Sequence, residues 1–215
     1  MRFTFRILTW ACNTKVTVQG LENLNPEQRP FIFVCNHASY LDSMMLILAV
    51  PMEFSFVAKA ELGRQFIAGT LLRKIRTKFV ERFDTQQTIS DAKKVTAAAA
   101  EGNSLLFFPE GTFTRMPGLL PLRMGAFTTA VTSDRPVLPI TIRGTRSILR
   151  AQTWLPRKGS VTVSIGEVIV PDPSVPEDAD HNEIWNAALK LRDAAREQIL
   201  RHNGEPDLAD ELGKI

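Results

Sequence analysis

The sequence predicts an α/β fold, a largely parallel central sheet flanked by helices. Short runs rich in β-branched and aromatic residues alternate with longer stretches of helical period. Several of the short runs are apolar at every position, as strands covered on both faces must be. The length, 215 residues, suits one domain that buries most of its apolar surface without staples.

In chain order, the runs 31–35 (FIFVC), 54–58 (FSFVA), 78–82 (KFVER), 104–108 (SLLFF), 136–142 (PVLPITI) and 161–168 (VTVSIGEV) read as strands. Helix candidates lie between them at about 42–49, 62–75, 86–101 and 123–132. A last helix from Glu183 to His202 puts Ile184, Ala188, Leu191, Ala195 and Ile199 on one stripe, the face that packs on the sheet. Residues 203–215 (NGEPDLADELGKI) are polar, acidic and broken by Gly and Pro, and are expected to fray. The resulting division is an amphipathic segment at 1–14, a domain at 15–202 and a polar tail at 203–215, with the tail leaving room for a longer multidomain protein.

Composition excludes several classes. Cys12 and Cys35 stand in unlike settings, and no Cys/His spacing suggests zinc, so neither a disulfide framework nor a metal site is expected. The net charge is only +3, yet Lys59 to Arg82 carries seven basic residues against Glu61 and Glu81. Such a block suits anionic lipid or a phosphorylated ligand, and equally a solvated face. It carries no recognisable helix-turn-helix or sheet signature, which argues against nucleic acid. At the N-terminus, Phe3, Ile7, Leu8 and Trp10 beside Arg2 and Arg6 form a segment able to lie in a lipid interface or to pack on its own domain. The longest apolar run, Met44 to Met52, is too short to span a bilayer. The expected location is cytoplasmic, peripheral to the inner face of the cell membrane.

The first chemical signal is NHASYLD at 36–42, a histidine and an aspartate with four residues between them. Five positions along an ideal helix turn the side chains about 140° apart, so His37 and Asp42 meet only across a strand-to-helix turn. There the carboxylate fixes the tautomer of the ring and frees its other nitrogen to take a proton from a hydroxyl. Ser39 and Ser43 lack a nucleophile-elbow context. A plain helix start, capped by Asn36 or Ser39, produces the same letters. The second signal is FFPEGTFTR at 107–115, an apolar strand that stops at Pro109 and enters Glu110, Gly111 and Thr112. Glycine permits close backbone approach to a ligand, and exposed amides hold phosphate oxygens; a plain turn reads the same way.

Taken together and in order, NHASYLD, FVER, FPEGT, LRMGAF and PVLPI resemble the glycerolipid acyltransferase family of the 1-acylglycerol-3-phosphate acyltransferase type, over roughly residues 15–170. The resemblance implies the glycerol-phosphate acyltransferase-like fold and transfer of a fatty acyl group from acyl-CoA or acyl-carrier protein to a hydroxyl of a lysophospholipid acceptor. It assigns the histidine and aspartate to His37 and Asp42, the basic residue of the second block to Arg82, the third block to Glu110, Gly111 and Thr112, and the proline block to 136–139. Asn36, Arg82, Glu110, Gly111, Thr112 and Arg115 form the candidate substrate-binding set. Two departures stand out. Phe113 occupies the place of the family's arginine, with Arg115 two residues later, and Thr77 and Lys78 replace a common glycine before Arg82.

The chemistry is self-sufficient. Acyl transfer from a thioester needs a base, a polar environment for the developing oxyanion and a leaving group that the thiolate already supplies, so no cofactor or metal is expected. In the leading reading His37 is the base, and Arg82 and Arg115 bracket an acceptor phosphate over the amides of Gly111 and Thr112. A second reading acylates a different lysolipid or an aminoacyl lipid, which Phe113 favours. A third is a lipid- or acyl-carrier-protein-binding module without turnover, against which the intact pair argues.

Overall fold

The chain threads one seven-stranded sheet, in the order β1-β7-β6-β2-β5-β3-β4. In this computed structural model the described residues are 14–25, 27, 30–59, 78–80, 95–99, 101–151, 153, 155–176 and 179–209, with the backbone alone at 59 and 78–80. The strands are β1 (Lys15–Gln19), β2 (Ile32–Cys35), β3 (Ser55–Lys59), β4 (Lys78–Val80), β5 (Leu105–Phe107), β6 (Val137–Arg143) and β7 (Ser160–Ile165). Among the described residues the helices are α1 (Asp42–Ala49), α2 (Gly125–Thr132), the short α3 (Thr145–Ile148) and α4 (His181–Asn203). Residues 95–99, inside the candidate 86–101, are also helical.

Every neighbouring pair of strands is parallel except β6 and β7, so β7 and its parallel partner β1 run against the other five. The α/β expectation therefore holds. β2 lies centrally between β5 and β6 and is buried at all four positions, as its unbroken apolar sequence requires. Successive side chains of a strand point to opposite faces. Phe31, Phe33 and Cys35 accordingly join Met45 and Leu46 of α1 on one face, whereas Ile32 and Val34 join Phe127 of α2 and Leu191, Ala195 and Ile199 of α4 on the other. β1 was not expected. Its KVTVQ alternates exposed and half-buried residues at the sheet edge, too weak an apolar signal to separate from loop.

The last helix has the expected stripe and is longer at both ends than 183–202. Asp180 accepts from the amides of Asn182 and Glu183, while the Glu183 carboxylate takes the amide of Asp180, which completes a capping box. Gly204 at the other end adopts a left-handed conformation that terminates it.

The described part of the tail, 203–209, differs from expectation. Glu205 to Leu208 lies along residues 118–120: the Leu119 amide donates to Pro206 O (2.8 Å) and the Leu208 amide donates to Leu119 O (3.0 Å). Arg196 of α4 donates to the carbonyls of Leu119 and Leu120 and pairs with Asp207. The acidic residues that made this stretch look solvent-bound are partners for arginines placed there by the fold. Outside the described residues lie the amphipathic segment up to 13, the helix at 62–75, most of the helix at 86–101, most of the basic block, Arg82 and the tail beyond 209.

Candidate active site

In an open parallel sheet the carboxyl ends of the strands gather the functional loops. Here the end of β2 supplies Asn36 and His37, the end of its neighbour β5 supplies Phe108 to Glu110, and the end of β6 leads through Gly144 into α3. Residues distant in sequence meet on that edge.

Asn36 continues β2 by its side chain. Its Nδ2 donates to Ile142 O (2.9 Å) and its Oδ1 accepts from the Ile142 amide (2.8 Å), two residues beyond Ile140, the last β6 residue paired with β2. The amide thus supplies the donor and acceptor of a further strand residue. This corrects the expectation of a substrate ligand, since Asn36 is buried and committed to the sheet.

The chain then turns into α1, and the turn is organised by one oxygen. Asp42 Oδ2 accepts from His37 Nδ1 (2.8 Å), the Ala38 amide (2.6 Å) and the Ser39 amide (2.8 Å). Oδ1 is buried without a partner among the described residues, so the hydrogen bonding of this wholly buried carboxylate is concentrated on the oxygen that faces the ring. Ser39 Oγ donates to Leu149 O (2.7 Å) and accepts from the Leu41 amide (3.2 Å), tying the turn to the loop after α3. An oxygen that already accepts two amides requires a donor from the imidazole. Nδ1 therefore carries a proton and, in the neutral ring, Nε2 is the acceptor. The pair expected across the strand-to-helix turn is present.

Aromatic rings box the imidazole. Phe108 stacks on it (centroids 4.2 Å apart, 19° between planes) and Phe113 meets it obliquely at 4.4 Å and 64°. Phe113 also packs edge-on against Tyr40, itself exposed (4.8 Å, 84°). His37 keeps 18 % of its side-chain surface, enough for one edge to meet a ligand.

Glu110 does not face a ligand either. It is buried, with Oε1 accepting the His37 amide (2.6 Å) and Oε2 the Leu120 amide (2.8 Å), so it ties the histidine's own backbone to the 119–120 segment. Burial pushes its pKa up from 4.5 to about 7, against the lowering effect of those amides and of Arg146, while Glu205 adds to the rise. The sign follows from proton linkage. Between pH 4.5 and 7 the folded chain holds a proton that the unfolded chain has lost, so stability falls as pH rises through this window. The expected loss is about 3 kcal/mol. Urea unfolding at pH 5 and pH 8 measures it, and in Glu110→Gln that part of the pH dependence is expected to vanish.

The glycine turn also differs from expectation. The Gly111 amide donates to Phe108 O (2.9 Å), and its φ of 71° is why glycine stands there. That amide is spent on the turn and is not presented to a phosphate. Thr112 and Arg115 are exposed and make no hydrogen bond or ion pair among the described residues. Sequence reasoning missed Phe108, Tyr40, Arg146 and Glu205. For Phe108 a signal existed, because strand alternation places it opposite its neighbour Phe107, toward the face that carries His37.

An α/β domain with a histidine–aspartate pair on the turn after its central strand is thus the class that fold and site define. A family model described as Acyltransferase matches residues 15–143, and the chain belongs to that family. The chloroplastic 1-acyl-sn-glycerol-3-phosphate acyltransferase BAT2 of Brassica napus is 33% identical over 135 residues, covering 63% of this chain and 39% of that protein. A 1-acyl-sn-glycerol-3-phosphate acyltransferase of Cocos nucifera is 28% identical over 179 residues, 83% of this chain and 57% of that one. The chain thus spans between 39% and 57% of the length of these two curated relatives. In fold it is similar to the crystal structure of the 1-acyl-sn-glycerophosphate (LPA) acyltransferase PlsC from Thermotoga maritima, with a TM-score of 0.70 at 21% identity, over 94% of this chain and 78% of that one.

Proposed function

We propose that this chain is an O-acyltransferase that moves a fatty acyl group from an acyl thioester, acyl-CoA or acyl-carrier protein, to a free hydroxyl of a lysoglycerophospholipid. The substrate class follows that of the 1-acyl-sn-glycerol-3-phosphate acyltransferases it is similar to, with 1-acylglycerol-3-phosphate the first candidate acceptor. One observation supports the mechanism: Asp42 Oδ2, which already accepts two amides, faces Nδ1 of His37, and an Nδ1 that donates to it leaves Nε2 free to act as the base. The acceptor hydroxyl gives its proton to Nε2 as its oxygen bonds to the thioester carbonyl. The tetrahedral intermediate then collapses, the C–S bond breaks, and the departing thiolate takes the proton back from the imidazolium. The acceptor is a lipid, so the enzyme works peripherally at a membrane, which we place at the cytoplasmic face. Among the described residues no helix is long and apolar enough to cross one. An acceptor panel in anionic vesicles with both donors tests this reading; it predicts transfer to a lysolipid and vesicle binding that weakens with salt. No transfer to any lysolipid contradicts it.

A second reading of the acceptor rests on Phe113. Where the family has an arginine, this chain packs a ring against His37 and Tyr40. A phenylalanine offers no charge-assisted bond to a phosphomonoester, and the Gly111 amide is taken, so a less charged head group fits this wall better. Phe113→Arg is expected to shift the kcat/KM ratio of lysophosphatidate over lysophosphatidylethanolamine about tenfold toward the former, as one charged hydrogen bond of about 1.5–3 kcal/mol allows. An unchanged ratio refutes the second reading.

A further inference from the structure

Arg146 leaves α3 and uses all three guanidinium nitrogens. Nε donates to Glu205 Oε1 (2.7 Å), Nη2 to Glu205 Oε2 (2.9 Å), and Nη1 to the carbonyl of Thr114, next to Phe113. Glu205 Oε2 accepts in addition from the Gly118 amide (2.8 Å). The two side chains are only 11% and 19% exposed, so this is not a solvated surface pair. Both groups spend bonds on the backbone of the same loop, residues 111–118, which carries the wall of the candidate site. The neighbouring residues extend the hold. At Gly118 the φ of 143° favours glycine, and a Cβ there would press on the Leu208 side chain, so the tail and the loop lie in close approach. Beyond it, Leu119 pairs with the tail and Leu120 donates to Glu110, whose other oxygen takes the His37 amide. Glu205 is therefore connected to the imidazole by two routes, one through Thr114 and Phe113, the other through Leu120 and Glu110.

We propose that Arg146 and Glu205 are positioning residues for acyl transfer, with the segment after α4 acting as a strap that holds Phe113 and the His37 backbone in register; this role rests on the acyl-transfer reading above. The hydroxyl that gives its proton to Nε2 must approach in the plane of the ring, at the edge that its aromatic wall leaves open. A loosened strap is therefore felt in acceptor binding before donor binding. Lysine at 146 delivers one point charge in place of a fork serving three acceptors, so the conservative change is not conservative here.

The test uses the full chain with Glu205→Gln, Arg146→Lys and the double substitution, with Asp180→Ala as a control. That control removes the α4 N-cap and lowers stability without touching the site. Amide exchange across 111–120 and at His37 is expected to rise about tenfold in the strap variants and to stay at the wild-type level in the control. With acyl-CoA and lysophosphatidate in vesicles, acceptor KM is expected to rise about tenfold while donor KM stays within about twofold, the double variant being no worse than the worse single. Strap variants that match wild type in exchange and KM, or that change only as Asp180→Ala does, overturn the proposal. A wild type that transfers no acyl group sinks the acyl-transfer reading, and the exchange data still decide whether the strap holds the loop.

Discussion

Replacing His37 by alanine is expected to lower kcat by about 10² to 10⁴, the usual worth of a general base, with acceptor and donor KM nearly unchanged. No other imidazole stands at the carboxyl edge of β2: His181 and His202 lie on α4. The substitution also has a structural cost. The ring sits between Phe108 and Phe113, so its loss removes buried contacts worth about 1–2 kcal/mol and leaves Asp42 Oδ2 with its two amides. A folded protein with retained thermal unfolding and lost turnover separates the two effects. Asp42→Asn keeps a carbonyl oxygen for the amides and keeps the ring, so activity above the His37→Ala level is expected. A His37→Ala rate above about a tenth of wild type contradicts the assignment of the base.

The second large effect concerns stability. Asn36→Ala is expected to cost about 2–6 kcal/mol, because the Ile142 amide and carbonyl each lose a partner in the interior, at about 1–3 kcal/mol apiece. For a domain with a typical stability of about 5–15 kcal/mol this is a large fraction of the total. A lower urea midpoint with an unchanged m value is the signature. Because His37 follows directly on the chain, activity is expected to fall with it as temperature rises. A loss under about 1 kcal/mol means that Ile142 finds other partners, and the clamp is then dispensable.

The sequence was most legible where interactions are local. The pair at His37 and Asp42 is separated by one turn, so spacing made its contact a readable possibility beside a plain helix start, and the structure has the contact with α1 beginning at Asp42. The strands β2, β5 and β6 were legible because burial on both faces leaves an unbroken apolar run. β1 was not, because at an edge only alternate residues are covered. Functional roles became illegible as contacts grew long-range. Asn36 meets Ile142 across 106 positions and Glu110 meets the His37 amide across 73, and no local pattern encodes either. Their motif letters pointed to ligand binding, whereas both side chains are spent holding the frame around the histidine. The tail misled for a related reason: Glu205 and Asp207 look solvent-bound until the fold brings Arg146 and Arg196 to them.

Direct transfer of an acyl group to a lipid hydroxyl deprotonated by His37 makes thiol release depend on the acceptor. Thiol release from acyl-CoA, followed with and without lysophospholipid in the same vesicles, tests it most directly. Release is expected only when the lysolipid is present, with one thiol for each acylated lipid formed, and is expected to be lost in His37→Ala. Release that proceeds equally without acceptor would mean hydrolysis, and no release under any condition, with either donor, would mean a binding module; either result contradicts the account.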